Sequence, residues 1–175
     1  DNKLKMYPHE FSGGMKQRII IGMALCCNAE LIIADEPTTA LDVTIQKQIM
    51  DLLSEIQKEY KTTVILISHD LALVSNYADT VTVMYSGRIV ERADSEEFFA
   101  NHKHPYSNAL LNSLPGNSSG NKLSTIAGTP PSIREEISGC KFNPRCNLSE
   151  PDLCNLKIPS LEEVAPSHLC ACFKV

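Results

Sequence analysis

An α/β fold built on a parallel sheet is predicted from three features of the 175-residue sequence. Strand-like and helix-like segments alternate through the first half, the order that produces parallel pairing. The run Leu31-Ile32-Ile33-Ala34 is wholly apolar and closes on two adjacent carboxylates, Asp35 and Glu36, which fits a buried strand ending at the carboxyl edge of a sheet. Just downstream, Ile45, Ile49, Leu52, Leu53 and Ile56 recur at helical spacing on one face.

The elements follow in order. Ser12-Gly13-Gly14 precedes an apolar helical stretch from about Met15 to Cys27, in which Cys26 and Cys27 are expected to be core residues. The first strand covers 31–34, and the periodic helix covers Val43–Lys58. Thr63–Ile67 is a β-branched strand, and a short helix or loop begins near Val74. Thr80–Tyr85, Ser86-Gly87 and Arg88–Val90 read as an antiparallel hairpin. Asp94-Ser95-Glu96-Glu97 has the form of a capping box opening a helix through Phe99, and Tyr106–Leu114 forms a second short helix after Pro105. Pro115–Asn121, rich in Pro, Gly, Ser and Asn, reads as a linker to a Cys- and Pro-rich tail.

Charge and hydropathy exclude several classes. The 16 basic and 21 acidic residues give a net charge of -5, against the basic excess of a nucleic-acid binder. The longest apolar run, Ile19–Cys27, is nine residues and is interrupted by Gly22, well short of the roughly 20 needed to cross a bilayer. No signal peptide is expected, and a first residue other than Met points to a trimmed or partial chain.

Three groups carry chemistry. An Asp at a strand's carboxyl edge can hold Mg²⁺, and a neighbouring Glu can polarise a water for in-line attack on phosphate. Taken alone, Asp35-Glu36 reads rather as a solvated strand end turning at Pro37. Ser12-Gly13-Gly14 at a helix N-terminus offers free N–H groups to an anion, or is a plain Ser N-cap. His69, after the Thr63–Ile67 strand, is placed to hydrogen-bond a terminal phosphate, or is a surface loop His.

In order, Phe11-Ser12-Gly13-Gly14-Met15-Lys16-Gln17-Arg18, then Asp35-Glu36-Pro37-Thr38-Thr39-Ala40-Leu41-Asp42, then Ser68-His69-Asp70 resemble an ABC-transporter ATPase. The resemblance covers about 7–90. It implies the C-terminal part of a P-loop ABC ATPase domain, with ATP and Mg²⁺ as cofactors. By that resemblance Ser12, Gly13 and Gly14 are the signature motif that contacts the ATP of a partner subunit. Asp35 is the Mg²⁺ carboxylate, Glu36 the general base, Asp42 the D-loop acid and His69 the switch histidine on the γ-phosphate. Asp42 is equally placed to cap the Val43–Lys58 helix. No Gly-x-x-x-x-Gly-Lys-Ser/Thr is present; in this family that phosphate cradle lies upstream. The 175 residues alone are therefore expected neither to bind ATP tightly nor to hydrolyse it.

The tail carries its own resemblance. His104-Pro105-Tyr106, Gly128-Thr129-Pro130-Pro131 and Gly139-Cys140-Lys141-Phe142-Asn143-Pro144-Arg145-Cys146 resemble the C-terminal extension of oligopeptide/dipeptide importer ATPases, shared with nickel importers. The expected division is 1–100, a partial nucleotide-binding domain, and 101–175, the extension. Cys140, Cys146, Cys154 and Cys170, separated by five, seven and fifteen residues, suit a metal staple. Its contents stay open between a [4Fe–4S] cluster, which the resemblance implies in some relatives, zinc and unliganded thiols. Cys172 is a possible substitute for Cys170.

The resemblance implies an ATPase subunit that powers import of peptides, or alternatively nickel. Its implied partners are a second ATPase subunit in a homo- or heterodimer, two transmembrane permeases and, indirectly, an extracytoplasmic binding protein. It would sit peripherally on the cytoplasmic face of the membrane. Two rivals come from other classes. A chromosome-maintenance ATPase is opposed by the acidic charge and the lack of coiled-coil heptads; a non-catalytic metal-binding or regulatory fragment is opposed by the presence of Glu36 and His69.

Overall fold

The computed structural model describes residues 2–113, 126–132 and 134–175, so the expected linker Pro115–Asn121 lies outside the described residues. The chain forms two compact units, 1–77 and 78–175.

In the first unit, helix α1 (Gly13–Leu25) leads into strand β1 (Leu31–Asp35), helix α2 (Val43–Tyr60), strand β2 (Thr63–Ile67) and helix α3 (Leu71–Tyr77). β1 and β2 pair in parallel with Leu31 opposite Thr63 and Asp35 opposite Ile67. The crossover between them is made by α2, whose buried residues are Ile49, Met50, Leu53 and Ile56. They pack with Ile32 and Ala34 of β1, Ile21 of α1 and Leu73 of α3 to form the core. Tyr77 Oη donates to Asp51 Oδ1 at 2.8 Å and ties α3 to α2. α2 stops where Lys61 enters the left-handed region at φ 54°.

Two expectations for this unit need correction. The apolar run of β1 is buried on one face only: Ile32 and Ala34 are buried, while Leu31, Ile33, Ile65 and Ile67 are all exposed. Cys26 and Cys27 are also exposed, because α1 ends at Leu25 and both lie in the turn that follows it.

In the second unit, strands β3 (Thr80–Tyr85) and β4 (Arg88–Asp94) form the expected hairpin, with Ser86 and Gly87 both at positive φ, as its two-residue turn requires. Helices α4 (Ser95–Asn101) and α5 (Pro105–Asn112) follow. The capping box expected over Asp94–Glu97 does not form: Asp94 is the N-cap of α4, but its side chain makes no cap hydrogen bond. The tail contributes a short helix α6 (Pro151–Cys154) and strands β5 (Glu162–Ala165) and β6 (His168–Cys170), completing an antiparallel sheet ordered β3-β4-β6-β5. Because β4 pairs with β6, the hairpin belongs to the same compact unit as the tail, and the boundary between the two units falls at 77/78.

The tail motifs have structural causes. Phe142 is 2% exposed and meets Tyr85, Tyr106 and His104 in ring contacts with centroids 5.1, 5.3 and 5.9 Å away. Arg145 donates from Nε to Ala127 O and from its terminal nitrogens to Tyr85 Oη and Ile126 O, which pins the 126–128 segment to the hairpin. His104 is buried as the N-cap of α5, its Nδ1 accepting from Tyr106 N–H at 3.0 Å. Burial lowers its pKa to about 4, so it is the neutral imidazole that accepts.

Glu91 is fully buried in β4 and accepts from Lys103 N–H, His104 N–H and His168 Nε2, the last at 2.7 Å. Three donors satisfy a carboxylate that would be expensive to bury alone. This network joins β4, the α4–α5 loop and β6.

Candidate phosphate-chemistry site

Parallel pairing assembles the first part of the site. Glu36 directly follows β1, and its N–H donates to Ile67 O, the last residue of β2, at 2.9 Å. His69 lies two residues beyond that carbonyl, and its Nδ1 is 2.9 Å from Glu36 Oε1. The other carboxylate oxygen, Oε2, accepts from the Thr39 hydroxyl at 2.9 Å. The His69 hydrogen bond, followed by that of Thr39, lowers the Glu36 pKa below the usual carboxylate range. An ionised carboxylate only accepts, so His69 Nδ1 is the donor in this contact. Both side chains are open to solvent, at 46% and 78% exposure for Glu36 and His69. This arrangement can take a proton from a water and present a ring nitrogen beside it.

Asp35 ends β1 at the same edge, exposed, and its carboxylate has no hydrogen-bond or ion-pair partner among the described residues. A hard oxygen donor left unpaired beside Glu36 fits Mg²⁺.

Ser12 caps α1, its Oγ accepting from Met15 N–H at 3.4 Å. The glycines let the start of α1 approach the start of α2. A Cβ on Gly13 would lie 2.8 Å from Leu41 Cδ2, and one on Gly14 would lie 2.7 Å from the branched Ile45 Cγ2. Asp42 caps α2, with Oδ1 accepting from Ile45 N–H at 2.9 Å. The structure therefore brings Ser12-Gly13-Gly14 beside the Leu41–Ile45 turn, and Glu36 beside His69 and Thr39. The side-chain contact of Ser12 is local to its own helix and does not reach Glu36 or His69. Sequence reading missed Thr39; its signal was a hydroxyl residue three places after Glu36, across a turn made by Pro37.

The structure brings three of the four expected cysteines to one place, with Cys172 rather than Cys170 beside them. Cys140, Cys146, Cys154 and Cys172 line one small cavity together with His104, Phe142 and Lys174. Cys170 does not line it: this residue sits within β6, opposite Glu91 and on the same strand face as His168. Burial, then Glu91 and Cys172, pushes the Cys170 thiol up to about 12. Burial also raises the pKa of Cys140, Cys146 and Cys172, and all seven cysteines are free. Among the described residues, no group of three or more His, Cys, Asp or Glu side chains is placed to hold a metal ion. Cys172, the possible substitute for Cys170, thus stands with Cys140, Cys146 and Cys154 at this cavity.

No helix among the described residues is long and apolar enough to cross a membrane.

Residues 1–39 match the ABC transporter family model, and residues 90–154 match the model for the oligopeptide/dipeptide transporter C-terminal region. The chain is 50% identical over 173 residues to the oligopeptide transport ATP-binding protein OppD of Salmonella typhimurium, covering 98% of this chain and 51% of that protein. It is 46% identical over 172 residues to the dipeptide transport ATP-binding protein DppD of Bacillus subtilis, with coverage of 98% and 51%. The chain thus spans about half the length of these relatives. Among solved structures it is similar to cbiO1 from Clostridium perfringens, part of the ABC transporter complex cbiONQ, at TM-score 0.50 and 40% identity, covering 53% of this chain and 37% of that one. A nucleotide-free ATP-binding cassette of an ABC transporter matches at TM-score 0.52 and 29% identity, covering 58% and 40%.

Proposed function

Because the chain belongs to the ABC-transporter ATP-binding proteins of the oligopeptide/dipeptide type, we propose that it is the portion of such a subunit that hydrolyses ATP to power peptide import. The single observation that carries this reading is the Glu36–His69 contact at the carboxyl edge of β1 and β2. Glu36 is the general base that takes a proton from the attacking water, and His69, donating to it through Nδ1, stands at the edge where the terminal phosphate would lie. Asp35 would hold Mg²⁺, which supplies neutralisation of charge on the phosphate oxygens when bound. Ser12, Gly13 and Gly14 contact the ATP carried by a second subunit, with Asp42 beside them holding the α2 N-terminus in place.

The phosphate cradle is supplied by a P-loop, a motif these 175 residues do not contain. In the whole subunit, the segment bearing it covers the open apolar face formed by Leu31, Ile33, Ile65 and Ile67. The 175 residues alone are inactive in this reading. Residues 1–100 act as part of the nucleotide-binding domain, and 101–175 as an extension to it. The partners are a second ATPase subunit, two permeases and, through them, an extracytoplasmic binding protein, with the subunit peripheral on the cytoplasmic face of the membrane. The relatives' names favour peptides over nickel as the cargo. Reconstitution of the whole subunit with its permeases and binding protein tests this. Hydrolysis stimulated by short peptides is expected; stimulation by Ni²⁺ and not by peptides contradicts the reading.

A further inference from the structure

We infer that Thr39 is a positioning residue for the Glu36 carboxylate, its hydroxyl holding one oxygen while His69 holds the other. The inference rests on the reading of Glu36 as the general base. It is carried by how the chain between the two residues is built. Glu36 adopts φ 45°, in the left-handed region that a Glu side chain disfavours. That conformation turns the chain at Pro37 and Thr38, both buried, and Thr39 N–H closes the turn on Glu36 O at 3.1 Å. Thr38 O then accepts from Leu41 N–H at 3.2 Å and from Gln46 Nε2 at 3.3 Å, which anchors the turn to the start of α2. The Thr39 hydroxyl is thus delivered to Glu36 Oε2, at 2.9 Å, by backbone geometry rather than by a free rotamer search.

Two observations make the second contact consequential. The Glu36 side chain is half exposed and His69 more so, so packing does little to hold the carboxylate. A carboxylate held through one oxygen can swing about that contact; one held through both oxygens, from opposite sides, is restricted in rotation about its last bond. A base must stand in hydrogen-bond reach of its water at the moment of attack, and loss of such alignment lowers the rate without weakening substrate binding. The hydroxyl donates and the ionised carboxylate accepts, so Thr39 leaves the carboxylate charged and able to take the proton.

The test uses the whole subunit, P-loop included, with Thr39→Val to remove the hydroxyl at nearly constant shape and Thr39→Ser to keep it. Loss of one hydrogen bond to a charged group predicts a fall in kcat of roughly tenfold for Thr39→Val, with KM within about twofold. Thr39→Ser is expected to recover most of that loss. An unchanged kcat in Thr39→Val, or equal losses in the Val and Ser variants, overturns the inference. A loss in Glu36→Gln without one in Thr39→Val overturns it alone, whereas an unchanged kcat in Glu36→Gln removes the base and the role of Thr39 together. Independently of turnover, the Glu36 side-chain ¹³C resonance in the 175-residue chain is expected to carry a deuterium isotope effect from the Thr39 hydroxyl. Its presence in wild type and Thr39→Ser and absence in Thr39→Val supports the contact; its absence in wild type overturns it.

Discussion

Replacing Gly139 by Ala separates two reasons for a glycine, because both act at this position. Gly139 stands at φ +68°, and a left-handed non-glycine residue costs about 1–2 kcal/mol. An added Cβ would also lie 2.2 Å from Cys154 O and 2.7 Å from Asn155 C, both backbone atoms that cannot swing aside. Relieving that overlap moves apart the segments joined by Cys140 N–H to Cys154 O at 2.8 Å, a bond with a net value of about 1 kcal/mol. Together these give about 3 kcal/mol of destabilisation of the second unit, equivalent to a fall of roughly 1–2 M in its urea midpoint. Urea titration by circular dichroism reads the midpoint, and labelling of the buried Cys154 thiol in native buffer reads local opening. Gly87→Ala and Gly22→Ala serve as controls. Gly87 shares the positive φ with nothing within 4 Å, so it should lose only about 1 kcal/mol. Gly22 lies in α1 with open space around it and should gain a few tenths to 1 kcal/mol from helix propensity. A Gly139→Ala midpoint equal to that of Gly87→Ala, with Cys154 still protected, refutes the steric argument.

Two further predictions follow from burial. His104 is held at a pKa of about 4 in the folded protein against about 6.5 unfolded, so between those values only the unfolded chain binds the proton. Stability should therefore be flat above pH 6.5 and fall by about 3 kcal/mol as pH drops to 4; His104→Asn, which keeps a capping acceptor, should abolish that component of the slope measured by denaturation at several pH values. Among the thiols, Cys26 and Cys27 should alkylate rapidly in the native protein, while Cys170, buried and pushed up to about 12, should react only on unfolding; mass mapping after brief maleimide labelling distinguishes them, and early modification of Cys170 contradicts its placement in β6.

Much of the first unit was legible because its signals are local. Periodic apolar positions placed α2, β-branching placed β2, and the carboxylate pair marked the edge where Glu36 and His69 meet. What failed there failed at a helix end: the apolar run continues through Cys27 with no stop signal, whereas α1 ends at Leu25 and leaves Cys26 and Cys27 in an exposed turn. The tail was harder. β5 and β6 are four and three residues long, and β6 pairs with Glu91 of β4, almost eighty positions earlier, so neither length nor local pattern announces the sheet. That pairing also takes Cys170 away from the cavity lined by the other cysteines, a separation that spacing along the chain does not reveal. Glu91 and His168 were unreadable for the same reason, since each looks like an ordinary polar residue until the two strands meet.

The account's central claim is that Glu36, oriented by His69, is the base of an ATPase, and pre-steady-state phosphate release from the whole subunit tests it most directly. With Glu36→Gln, ATP should still bind and draw two subunits together, while phosphate release falls by a factor on the order of 10² or more. Release within about twofold of wild type under the same conditions would contradict the claim.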